Sequence, residues 1–108
     1  MTEVILTRDD RELTVRLCVR GHAGYAPAGR DIVCSAVSIL ACTAAALALS
    51  YKDEGAEAYV SMEDGDAAVK IAWEDPADYE RCQEQMHAVK VGYQLLAERY
   101  PEYVTIKT

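Results

Sequence analysis

Leu13-Thr14-Val15-Arg16-Leu17-Cys18-Val19-Arg20 sets a large aliphatic side chain at every odd position, interleaved with Thr14, Arg16, Cys18 and Arg20. A period of two places the aliphatic set on one face of an extended chain, so this segment reads as a half-buried strand. Upstream, Val4-Ile5-Leu6 lies across Asp9-Asp10-Arg11 from it, and the first twenty residues read as a hairpin. Downstream, Ala58, Val60 and Met62 alternate again, and Val69, Ile71 and Trp73 do the same after Asp64-Gly65. An Asp-Gly pair suits a tight hairpin turn because glycine accepts positive φ. Val104 and Ile106 mark a short last strand.

Between and after the hairpins the period changes. Asp75-Pro76 supplies an N-cap and a first-turn proline. Tyr79, Cys82, Met86, Val89, Tyr93, Leu96 and Tyr100 then recur at alternating spacings of three and four, one stripe of a helix that Pro101 ends. This helix should lie flat on a sheet. Ile32 to Leu49 is uncharged over 18 residues, the lower limit for a membrane span. Its six alanines with Ser35, Ser38 and Thr43 weaken the transfer energy, and acidic flanks give no positive-inside anchor. It reads as a central core helix, or one covered in part by a second copy of the chain, with no membrane role. The order is ββαββαβ without internal repeats or a linker. That implies an α+β two-layer sandwich, a mixed or antiparallel sheet packed by two helices, in one domain over 1–108.

Composition narrows the function classes. At 108 residues, 51% hydrophobic and 27% charged, the chain is too apolar for a disordered tail. A net charge of −7 argues against nucleic-acid binding through a basic stripe. The acid is concentrated: residues 53–84 hold eleven acidic and two basic side chains. Such a region is either a solvated face or an attractor for a basic partner. Four cysteines without a CxxC pair are too few for a disulfide scaffold. Met1-Thr2-Glu3 is acidic where a signal peptide is basic, and no apolar h-region follows, so the expectation is a reduced, cytoplasmic protein. Neither metal nor cofactor is expected. Cys82 and His87 are five apart, off one helical face and without a second pair. Gly24 and Gly29 do not make a phosphate loop, because no lysine follows and Asp31 repels phosphate.

The chemistry concentrates in Gly21-His22-Ala23-Gly24-Tyr25-Ala26-Pro27-Ala28-Gly29-Arg30-Asp31-Ile32-Val33-Cys34. A strand ending at Arg20-Gly21 places His22 at its C-terminal edge, a loop over 23–30 follows, and Asp31 reads as the N-cap of the apolar helix. Cys34 then sits in the first helical turn, where free amides and the positive end of the dipole favour a thiolate over a thiol. An imidazole at the neighbouring strand end can take the proton and return it to a leaving amine. The same amides are candidate donors for an oxyanion. Asp31 complicates this: as a cap its carboxylate takes the amide of Cys34, and alternatively it turns to orient His22. Cys18, Cys42 and Cys82 are expected to be packed hydrophobes, and His87 to face solvent.

Gly21-His22-Ala23, Gly29, Asp31-Ile32-Val33-Cys34 and Ser38, in this order and spacing, resemble the signature of the ribosomal-processing cysteine proteases, the Prp family. The resemblance implies a cytoplasmic endopeptidase with Cys34 as nucleophile and His22 as general base and acid, supported by Asp31, Ser38, Gly21 and Gly29. It implies as substrate the N-terminal extension of a large-subunit ribosomal protein, cut after a hydrophobic, aromatic-containing sequence. It further implies a homodimer and a mobile loop between histidine and cysteine that closes over bound peptide, for which Gly24 and Gly29 would serve as hinges. Two other classes stay open on the residues alone. One is a non-catalytic acidic module that docks on a basic ribosomal protein. The other is a Cys–His hydrolase or acyl transferase acting on something other than a peptide, since acyl transfer needs the same parts.

Overall fold

The computed structural model describes residues 1–108. The alternating segment is β2 (Thr14–Arg20), paired antiparallel with β1 (Thr2–Asp9) in the register Leu6↔Leu17 and Glu3↔Arg20. The uncharged segment is α1 (Ile32–Lys52), followed by the hairpin of β3 (Glu57–Glu63) and β4 (Asp66–Ala72). The capped stripe is α2 (Pro76–Arg99), and β5 (Val104–Lys107) closes the chain. The expected ββαββαβ order is observed.

The strands form one sheet in the order β3-β4-β2-β1-β5. All neighbours are antiparallel except β1 and β5, which makes the sheet mixed. A parallel pair needs a crossover, and α2 supplies it by carrying the chain from β4 to the far edge. Val4 and Leu6 of β1, Val15, Leu17 and Val19 of β2, and Val69 and Ile71 of β4 are buried on one face. Val33, Val37, Ala41, Ala44 and Ala48 of α1 cover that face together with Cys82, Met86, Val89 and Tyr93 of α2. Each valine or leucine so removed from water contributes roughly 1.5–3 kcal/mol. The Tyr93 hydroxyl, its pKa raised by burial, donates to the Val37 carbonyl at 3.2 Å and ties the helices together. The other sheet face carries Arg16, Arg20 and Lys70 and stays open, so the architecture is the two-layer one.

Two expectations need correction. The uncharged helix is not central. It is long and apolar enough to cross a membrane, yet it lies on the sheet with one face buried and leaves Ile32, Ile39 and Leu49 more than half exposed. For the same reason Cys42, expected to be packed, is exposed on the outward side, and Cys18 is only half-buried on the open sheet face. Cys82 is buried as expected, and burial pushes its thiol pKa up. His87 is exposed, as expected.

Candidate active site

β2 ends at Arg20, and Gly21 then turns the chain with φ +84°. A side chain at Gly21 is excluded twice, by that left-handed backbone and because a Cβ there would lie 2.6 Å from the Met1 carbonyl oxygen. The turn is pinned from β1 and from the β3–β4 turn. Thr2 Oγ1 donates to the Gly21 carbonyl at 3.0 Å, and the Gly21 N–H donates to the Gly65 carbonyl at 2.7 Å. His22 follows with its carbonyl held by the Met1 amino group at 2.9 Å and its ring projecting over the start of α1.

Asp31 is the N-cap of that helix, and its carboxylate accepts from the Cys34 N–H at 2.8 Å. Its second oxygen accepts from the N–H groups of Tyr25 at 3.0 Å and Ala26 at 3.3 Å. One carboxylate therefore starts the helix and ties down the loop that precedes it. Burial pushes the Asp31 pKa up, but the N–H donors of Cys34, Ala26, Tyr25 and Val33 outweigh this and hold it below its ordinary value. Of the two roles left open for Asp31 the structure shows the cap, with no bond to His22.

Cys34, in the first turn, brings its Sγ to 4.0 Å from His22 Nδ1. That is the outer limit of a sulfur hydrogen bond. The opposite ring nitrogen, Nε2, lies 3.7 Å from Asp64 Oδ1 on the β3–β4 turn. Together with Ala26, Ala28, Gly29, Asp31, Ser35, Ser38, Ile39 and Cys42, these residues line a cavity of about 670 Å³. Ser38 stands one turn beyond Cys34 on its face of the helix, and Gly29, at φ +84°, lets the loop turn into Asp31. No three histidine, cysteine or acidic side chains lie close enough to share a metal ion.

The cap changes where an oxyanion could be held. With the Cys34 amide donated to Asp31, that N–H is not free to hold an oxyanion. Gly24, Ala28 and Gly29 line the cavity and make no backbone hydrogen bond of their own. The loop is anchored at Tyr25, whose ring meets Tyr100 edge-on at 5.5 Å and Tyr103 at 5.3 Å. Asp64, Cys42 and Ile39 are the lining residues that local sequence patterns missed. Asp64 carries no local signal, because it reaches His22 only through the pairing of β4 with β2.

The family model described as cysteine protease Prp matches residues 1–105 of the chain. No curated protein matches it. Among solved structures it is similar to the essential ribosomal processing protease Prp from S. aureus in complex with a covalently linked product peptide. That match has TM-score 0.78 at 20% identity, covering 99% of this chain and 98% of the other. The same S. aureus protease in complex with a substrate peptide matches with TM-score 0.70 at 20% identity, again over 99% and 98% of the two chains. SMU.848 from Streptococcus mutans matches with TM-score 0.71 at 29% identity, over 99% of this chain and 92% of the other. The first of these matches supports the fold described above.

Proposed function

Since the chain belongs to the cysteine protease Prp family, we propose that it removes a short N-terminal extension from a large-subunit ribosomal protein, with Cys34 as nucleophile and His22 as general base and acid. The observation that carries this reading is the approach of Cys34 Sγ to His22 Nδ1 at the floor of an open cavity. His22 Nδ1 takes the thiol proton as Sγ attacks the scissile carbonyl carbon. The oxyanion so formed points to the loop N–H groups of Gly24, Ala28 and Gly29, since Asp31 holds the amide of Cys34. His22 then delivers its proton to the leaving amine, and the C–N bond breaks to leave a thioester. A water deprotonated by the same nitrogen attacks the thioester, and the thiol returns. These steps need no metal and no cofactor.

Residues 1–108 act in this reading as one protease domain, in the cytoplasm where ribosomes are assembled, without binding nucleic acid directly. A basic ribosomal protein is drawn by the acid of residues 53–84, which steers association with the opposite charge. The exposed side chains Ile32, Ile39 and Leu49 of α1 and Leu95 of α2 form the surface we assign to a homodimer.

Mass spectrometry of the precursor ribosomal protein after incubation with the enzyme tests the proposal. The expected product is a single shortened species, absent with Cys34→Ala. A precursor left intact by the wild-type chain, or one cut equally well by Cys34→Ala, overturns it.

A further inference from the structure

The Asp64-Gly65 turn joins β3 to β4, and a hairpin explains its sequence without further function. Its surroundings add something that a hairpin does not require. The Gly65 carbonyl accepts from the Gly21 N–H at 2.7 Å, which locks the turn to the residue preceding His22. A Cβ on Gly65 would lie 2.8 Å from His22 Nε2 and 3.2 Å from its Cδ2, so the imidazole is seated directly on the glycine. Asp64 Oδ1 stands 3.7 Å from the same Nε2, while Nδ1, across the ring, faces Cys34. Asp31, the other acid of the cavity, is spent on the helix cap and the loop.

We propose that the Asp64-Gly65 turn positions the catalytic histidine: Gly65 provides the seat for the ring, and Asp64 Oδ1, 3.7 Å from Nε2 here, closes to accept from Nε2–H when substrate binds, leaving Nδ1 turned to the sulfur. This rests on the Cys34–His22 reading above. In a Cys–His pair a third group sets which nitrogen faces the nucleophile, and here it comes from a hairpin distant in sequence. Asp64 is a positioning residue, since it acts through His22. Asp64 is exposed, and the effect expected is accordingly modest.

The experiment compares Asp64→Ala and Asp64→Asn with wild type on the extension peptide, with Cys34→Ala as control. The asparagine keeps an oxygen that can accept from Nε2–H and drops only the charge. Asp64 is nearly fully exposed, so melting temperatures should be unchanged. We expect Asp64→Ala to lower kcat by on the order of five- to tenfold with KM within about twofold, and Asp64→Asn to recover most of the loss. A kcat unchanged by Asp64→Ala, an effect confined to KM, or an asparagine variant as slow as the alanine one overturns the positioning role. Cleavage by Cys34→Ala overturns the catalytic reading itself, a result separate from any of these.

Discussion

Cys34 and His22 gain their meaning from each other, and their substitutions should reflect that. Where nucleophile and base act as a unit, losing either removes nearly all the rate that losing both removes. His22→Ala should therefore be almost as inactive as Cys34→Ala, with the double variant little worse, measured as kcat/KM on the extension peptide. Gly21 is tested through stability instead. Gly21→Ala forces a Cβ against the Met1 carbonyl at a left-handed φ and should cost roughly 1–3 kcal/mol, read from denaturant unfolding, with activity falling as His22 shifts. Asp31 carries a pH signature. Its folded pKa is depressed, so its contribution is complete above the ordinary carboxylate pKa and is lost as pH falls through the lowered folded value. Protection of the Cys34 and Tyr25 amides from exchange, corrected for the intrinsic pH dependence and compared with that of β2, should fall selectively on acidification.

At the scale of elements, the loop between β2 and α1 hangs from two points, the Asp31 carboxylate and the Tyr25 ring. Tyr25→Ala removes the second and leaves the core intact. Limited proteolysis should then cut between residues 24 and 30 faster, with little change in melting temperature. If the loop supplies the oxyanion donors, kcat should fall as well. The elements themselves were legible in the sequence because their signals are local. The odd-numbered aliphatics of residues 13–19 show the period of a strand, Asp75-Pro76 shows a helix start, and Asp64-Gly65 shows a turn. The His22–Cys34 pair was legible for a similar reason, since a strand end and a helix start bracket one loop. What was not legible depends on which strand lies beside which. The register Arg20↔Asp66 brings the turn at 64–65 to His22, and nothing near residue 64 announces it. Cys42 is exposed against expectation because an apolar sequence cannot say that only one side of its helix is covered.

For the whole molecule, the uneven covering of α1 leads to a solution measurement. Apolar side chains exposed on two adjacent helices favour burial against a like surface. Leu95→Glu would set a charge there and should turn a dimer into a monomer by analytical ultracentrifugation. A wild-type chain that is monomeric at micromolar concentration would remove the dimer from the proposal. The molecule is 43 Å along its longest axis, and the sheet register divides its two ends by task. The start of β1, the end of β2, the β3–β4 turn and the N-terminus of α1 meet at one end around Cys34. At the other, the Asp10–Leu13 turn lies beside Trp73, which packs on Tyr51 at the last turn of α1. Protein engineering can use this separation. A fluorescent reporter spliced between the exposed Arg11 and Glu12 would ride on the remote pole, leaving the proposed peptide-cutting pole unobstructed.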